Sequence, residues 1–408
     1  MRLLHTSDWH LGQSFFGYTR QREHDEFLSW LAEAAKGHDV DAIVIAGDLF
    51  DVSMPPSFAR EQFNSFIDQL CGSGMTLVVL GGNHDSPATL REGRQLLSRL
   101  STLVIPEIST DPSEQVFVIN RKSGEPGLLL CGLPFIRPRD VVRSAPGQSD
   151  EEKKRAVMDG IADYYAATHS AARALRTKMN LSLPIVATGH LTTLGASSSA
   201  SVREIYVGSL SAFPTDHFPP ADYIALGHIH RPQVVGGQEH IRYSGSPIHL
   251  SFDEVGQEKN VVLVDFEGGS LKSITPVPVP AFHPMQRLAG AIDELPDLLK
   301  AAADGHVHER PLWLEITATD AGYLPDLMAR VDQMTASLPL EVLSLVRKRN
   351  ADAGDSLASQ PQTLAELSVD EVFEQVLAGN GNIPPERLDT VRALFAAIAA
   401  EVVEGEQA

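Results

Sequence analysis

Short apolar runs recur through the first 230 positions, and each ends on a compact polar cluster. Ala42–Ala46 leads into Gly47-Asp48, and Met75–Leu80 into Gly81-Gly82-Asn83-His84-Asp85. Ile185–Thr188 leads into Gly189-His190, and Tyr223–Leu226 into Gly227-His228-Ile229-His230. A fifth cluster, Asp8-Trp9-His10, follows the strand-like start Met1-Arg2-Leu3-Leu4-His5. Runs of this kind predict strands buried on both faces. Between them, helices are expected at Gln21–Lys36, Ser57–Cys71, Pro87–Leu100, with Pro at its first position, and Ser149–Met179. This β-α-β order predicts a layered α/β domain with helices outside the sheet. From about Val202 strands dominate, at Asp222–Leu226, Gln233–Val235, Ile241–Tyr243, Lys259–Asp265 and Ser270–Pro276. That part is expected to be antiparallel, so that the whole forms a mixed architecture of two packed sheets.

The closely spaced prolines of Pro276-Val-Pro-Val-Pro280 predict an extended linker. A smaller α/β pattern follows, with helices at 292–303 and Leu324–Ser337 and strands at Leu312–Ile316 and Glu341–Val346. Asn350–Gln362 reads as a polar loop. Beyond it, Ser368-Val-Asp-Glu371 forms a capping box. Val369, Val372, Phe373 and Val376 then repeat at helical spacing, and a second amphipathic helix begins near Pro384-Pro385. The two helices either dock on their own domain or bind a partner protein. The expected domains are 1–280, 281–350 and 351–408.

At 408 residues the chain exceeds one ordinary core. Its start reads as a strand and not as a secretory signal, no apolar run suits a membrane span, and two cysteines cannot make a disulfide framework. Cys71 and Cys131 are expected as buried apolar fillers in a cytoplasmic protein. The net charge of −20 argues at first against a polyanionic partner. Charge is unevenly placed, however: 361–408 holds nine acidic residues against Arg387 and Arg392. Basic groups gather at Arg91, Arg94 and Arg99, at Arg137, Arg139 and Arg143, at Lys153-Lys154-Arg155 and at Arg347-Lys348-Arg349. Each is a solvated face or a phosphate-facing patch. DNA is therefore not excluded.

The clusters carry the chemistry. In a strand, i and i+2 share a face, so Asp8 with His10, and His228 with His230, are each placed to grip one ion. Asp48 leaves a strand end with two oxygens able to bridge two ions, and Asn83 offers a neutral carbonyl oxygen. Any one of these groups could be an ordinary core or surface residue. Two carboxylates, one amide and four imidazoles at successive strand ends define a metal site. Oxygen and nitrogen donors without thiolates suit Mn²⁺, Fe²⁺ or Zn²⁺ and disfavour a structural zinc knot.

D-x-H, G-D, G-N-H-D, G-H and G-H-x-H in this order resemble the calcineurin-like metallophosphoesterase superfamily. Finer features resemble its bacterial nuclease subunits that work with the ATPase SbcC: His5–Gly12, Ala46–Asp51, Gly82–Ser86, Ala187–Thr192, Ala225–His230, Ser244–Pro247 and Ser251-Phe-Asp-Glu254. The resemblance implies an α/β (α+β) fold, a four-layer β-sandwich flanked by helices, with a small α/β capping domain and a C-terminal helical pair. It implies two Mn²⁺ ions, with Mg²⁺ or other divalent ions as substitutes. Asp8, His10 and His230 would hold one, Asn83, His190 and His228 the other, and Asp48 would bridge them. His84 would serve as catalytic acid, with Asp85 orienting it; alternatively His84 is a further ligand or a loop residue, and Asp85 a helix cap before Pro87.

The implied substrate is DNA (duplex ends, hairpins and single strands), cut with ATP dependence supplied by SbcC bound to residues 364–408. Residues 281–350 would guide DNA, with Arg347-Lys348-Arg349 as a candidate contact, and the chain would act as a homodimer within a heterotetramer. The apolar side chains of Phe58–Leu70 and Leu90–Leu100 are candidates for the dimer face, or are ordinary core. Two rivals remain: a superfamily enzyme acting on small phosphodiesters or phosphoproteins, and a non-catalytic binding module.

Overall fold

The computed structural model describes residues 1–142, 149–199, 202, 212–319 and 327–347. The segments expected to form a C-terminal helical pair, and Arg143 and Lys348-Arg349, lie outside them. Two six-stranded sheets form the larger part. The first runs Ser270–Pro278, Asn260–Glu267, Arg2–Thr6, Ala42–Ile45, Thr76–Leu80, Thr102–Ile105. The second runs Gln233–Val235, Gln238–Tyr243, Tyr223–Gly227, Ile185–His190, Pro126–Cys131, Val116–Asn120.

The apolar runs are continuous because alternate residues serve two different cores. Ala42, Val44, Val78 and Leu80 point between the sheets, where they meet Leu128, Leu130, Val186 and Ala225 of the second sheet. Their neighbours Ile43, Ile45, Leu77 and Val79 point outward, against helices Gln21–Gly37 and Ser57–Leu70. On the other side, Leu129, Ile185, Ala187 and Ile224 pack beneath helix Asp150–Met179. The layers are therefore helix, sheet, sheet, helix. His5 ties the sheets together: its ring nitrogens lie 3.0 Å from Tyr223 Oη and 3.2 Å from the Leu226 carbonyl.

Several expectations change. The later strands are antiparallel at Gln233–Val235 with Gln238–Tyr243, and at Asn260–Glu267 with both of its neighbours. Tyr223–Gly227 departs from the expectation and pairs parallel with both neighbours. The proline-rich stretch is no linker: Pro276 and Pro278 lie in an edge strand, opposite Val262 and Asn260. An edge strand tolerates the missing N–H donors. Pro87–Leu100 divides into two short helices, Pro87–Arg91 and Arg94–Arg99, at Gly93 with φ 72°. Cys131 is buried, but Cys71 is exposed where helix Ser57–Leu70 ends. In that helix Phe63, Phe66, Ile67 and Leu70 belong to the core, whereas Leu96 and Leu100 are exposed.

After Phe282 the chain forms a three-stranded parallel sheet, Met285–Gly290, Leu312–Ala318, Leu340–Arg347. Its first strand has no counterpart among the expected elements. Helices Leu295–Asp304 and Leu327–Thr335 cover it, with Leu295, Leu299, Leu314, Ile316 and Val331 in a separate core. A short hairpin, Ser14–Phe15 with Tyr18–Thr19, meets this unit. Phe15 stacks on Trp313 and packs on Phe252, and Arg310 pairs with Glu26. Among the described residues no helix is long and apolar enough to cross a membrane.

Candidate metal centre

The five polar clusters converge where the C-terminal ends of the parallel strands of both sheets meet. Strand alternation does not aim the donors. The strands stop at Thr6 and Gly227, and Asp8, His10, Asp48 and His228 take φ of 54, 49, 49 and 94°. Left-handed backbone costs a side-chain-bearing residue about 1–2 kcal/mol. Such strain concentrated at one locus marks a functional site. The i, i+2 face predicted for Asp8 with His10, and for His228 with His230, is thus replaced by tight turns beyond the strand ends. Trp9 does turn away, into the helix-side core between Phe27 and Phe66.

Three buried donor sets result, the atoms of each lying within 4.8 Å of one another: Asp8, His10 and His230; His10, Asp48 and His84; Asp48, His190 and His228. Asp48 stands in two of them. Its Oδ2 is 3.2 Å from His190 Nε2 and 3.7 Å from His10 Nε2, while its Oδ1 accepts the His84 backbone N–H at 2.9 Å. Asn83 Oδ1 joins the third set, 2.9 Å from His190 Nε2 and 3.1 Å from His228 Nδ1. All seven expected ligands are brought together. His84 belongs to the second set, its ring centroid 4.7 Å from that of His10.

These residues fit divalent cations. His10 Nε2 and His228 Nε2 are buried without a hydrogen-bond partner. A buried nitrogen left so costs about 1–3 kcal/mol, which a bound cation would recover. Burial opposes charge on both Asp48 and His190, but each sustains the other. Asp48 is held well below the ordinary carboxylate range, chiefly by His190, and His190 is raised to about 9 by Asp48. A proton therefore occupies the pair when no cation does, and cation binding must compete with it.

In His10, His84, His190 and His230 the second nitrogen has its own partner, which fixes ring orientation. His190 Nδ1 meets the Ala46 carbonyl at 2.9 Å, His10 Nδ1 the Asp51 carboxylate at 3.1 Å, and His230 Nδ1 the Glu254 carboxylate at 3.4 Å. His84 Nδ1 meets the Asp51 carbonyl at 2.7 Å. This corrects the role given to Asp85. Its carboxylate accepts the backbone N–H groups of Leu49, Phe50 and Gly82 at 2.9–3.1 Å, so it anchors the two ligand-bearing loops to each other. The cap before Pro87 is Ser86. Asp51, Glu254 and Lys259 are parts of the site that sequence reasoning misses. Asp51 closes the Gly47–Asp51 cluster and is visible on that account; Glu254 and Lys259 follow no periodic signal.

Glycine is required where the loops touch. A Cβ on Gly47, at φ 93°, would stand 2.2 Å from His190 Nδ1, and one on Gly82 2.1 Å from Asp48 Oδ1. Gly47→Ala is expected to cost about 1–3 kcal/mol from overpacking and to remove most of the thermal stabilisation that a divalent metal is expected to give the wild type. Melting curves with and without a divalent metal check this; a wild-type response would contradict the packing described.

A layered αββα sandwich with paired Asp, Asn and His donors at its strand ends defines the class: the chain belongs to the calcineurin-like phosphoesterases, whose family model matches residues 1–232. The SbcD C-terminal model, described as the type 5 capsule protein repressor C-terminal domain, matches residues 281–380. More narrowly, the chain belongs with the SbcD proteins of the SbcCD nucleases. It is 49% identical over 379 residues to that of Escherichia coli K12, covering 93% of each chain. Its identity to the Rhodobacter capsulatus protein is 32% over 389 residues, with 91% of this chain and 93% of the other covered. To the Bacillus subtilis protein it is 32% over 272 residues, with 66% and 67% covered. The chain is thus a member of a hydrolase family that uses divalent metal.

Proposed function

We propose that the chain is the nuclease component of an SbcC–SbcD complex and hydrolyses DNA phosphodiesters by in-line attack at a two-ion centre. The observation that carries this reading is the sharing of Asp48 by donor sets on either side of it. Asp8, His10 and His230 would hold one ion, Asn83, His190 and His228 the other, and Asp48 both; Mn²⁺ fits this donor set. Bound there, the ions would acidify a water for attack and stabilise the attacking and leaving oxygens.

The chain's own residues supply the rest. His84 is oriented through Nδ1 by the Asp51 carbonyl, and its Nε2 would donate a proton to the departing 3′-oxygen. Asp85 holds the loop that carries His84 against the loop that carries Asp48. Arg137 lies over the Phe135 ring, whose edge meets His190, with Nη2 3.5 Å from the Asp85 carbonyl. That places a cation beside the centre, suited to a neighbouring phosphate. Residues 281–350 would guide DNA and residues 364–408 bind SbcC, in a cytoplasmic homodimer within a heterotetramer. Leu96 and Leu100, being exposed, are the residues of the Leu90–Leu100 segment left to contribute to the dimer face.

Digestion of an end-labelled hairpin duplex and of a single strand, with Mn²⁺ and with or without SbcC and ATP, tests the proposal. Mn²⁺-dependent opening of hairpins and ATP-stimulated shortening of duplex ends are expected. Failure on every DNA, together with turnover of a small phosphodiester, would overturn it.

A further inference from the structure

Behind the ligands lies a buried charge cluster built on Glu254 and Lys259. Both are almost wholly buried, and their side chains pair at 2.7 Å. The Glu254 carboxylate is fully occupied. Oε1 lies 3.4 Å from His230 Nδ1 and accepts from Ser199 Oγ at 2.9 Å and Ser251 Oγ at 3.2 Å. Oε2 accepts from Lys259 Nζ and from the Leu250 N–H at 3.0 Å. Lys259 reaches the same histidine from behind, donating to the His230 carbonyl at 2.9 Å and to Ser246 Oγ at 2.9 Å. Ser246 N–H also donates to the His230 carbonyl, at 3.1 Å. His230 is therefore gripped at its ring by the carboxylate and at its backbone by the ammonium.

Burying an ion pair is expensive, and an apolar pair of similar volume often serves stability as well or better. Stability alone therefore does not account for this pair. Orientation of one ligand does. An imidazole whose far nitrogen donates to a carboxylate is fixed in tautomer and rotation and made a stronger base toward a cation. The carboxylate also sits on the turn Phe252–Glu254, whose Phe252 packs against Phe15 in the cluster that contains Trp313 of the three-stranded unit. The turn is thus held on both sides.

We propose that Glu254 is a positioning residue for His230, with Lys259 as its counter-charge, and that it sets the affinity of the ion site containing Asp8, His10 and His230 without serving the other. The inference rests on the two-ion reading given above. Mn²⁺ titration of the full-length chain, followed by the paramagnetic resonance signal of free Mn²⁺, tests it on the wild type, Glu254→Gln, Glu254→Asp and His230→Ala. Glutamine removes the charge, whereas aspartate keeps a partner for Lys259 but withdraws the oxygen from the ring. In both Glu254 variants one ion is expected to bind about 10–100-fold more weakly, with the second unchanged, and His230→Ala should weaken the same site further.

Wild-type affinity for both ions in either folded variant, or equal loss of both ions, would overturn the proposal. So would unfolding of both variants, since Glu254 would then support the fold and not the ligand. A wild-type protein that takes up fewer than two ions would instead sink the two-ion reading, which keeps the two failures apart.

Discussion

Asp48→Ala is expected to empty the centre of both ions at once. The Asp48 carboxylate is buried and lies within 4 Å of His190 on one side and His10 on the other. Among the described residues no other stands in both the His10 and the His190–His228 donor sets. Removing it leaves each set with one anionic donor or none. Losing the partner of a buried charge costs about 3–5 kcal/mol. At 1.36 kcal/mol per power of ten, each ion should bind roughly two to four powers of ten more weakly. Cleavage should vanish with them. Retention of one tightly held ion, measured by metal analysis after gel filtration, would show that Asp48 belongs to one site and does not bridge.

His84→Gln separates binding from chemistry. The His84 backbone N–H holds Asp48 and is untouched by the substitution, while the ring, which meets the Asp51 carbonyl and is proposed to donate the proton, is lost. Two ions should therefore remain bound with affinities close to wild type. The cleavage rate should fall by roughly 10²–10⁴-fold, the usual contribution of a positioned acid. Loss of an ion in step with activity would make His84 a ligand instead, an option its place in the set with His10 and Asp48 leaves geometrically available.

Much of the site is legible in the sequence because its grammar is local. Each ligand directly follows an apolar run, and buried parallel strands deliver their C-terminal ends to a common edge. The structure brings the expected donors together, but the geometry that alternation suggests for them does not hold. Asp8 and His10 share a site through left-handed turns after Thr6, a conformation that side-chain-bearing residues seldom announce. Pairing direction in the second sheet is hidden for a related reason. Tyr223–Gly227 and Gln238–Tyr243 are parallel although a short strand, Gln233–Val235, intervenes. Nothing in the alternation of those segments distinguishes that from a meander. Proline misleads at 276–280, because an edge strand and a linker make the same demand of its backbone. The partners that hold the ligands are least visible. Glu254 reaches His230 across 24 positions of chain through a turn with no repeating pattern, and Asp85 adjoins an imidazole in sequence while its oxygens are taken up by three backbone N–H groups.

The central claim is that one buried carboxylate joins two ion sites. Its most direct test is the number and coupling of Mn²⁺ ions held by the full-length protein, read by native mass spectrometry and by paramagnetic resonance of the same sample. Two ions per chain with an exchange-coupled spectrum are predicted. A single ion, or two with independent spectra, would contradict it.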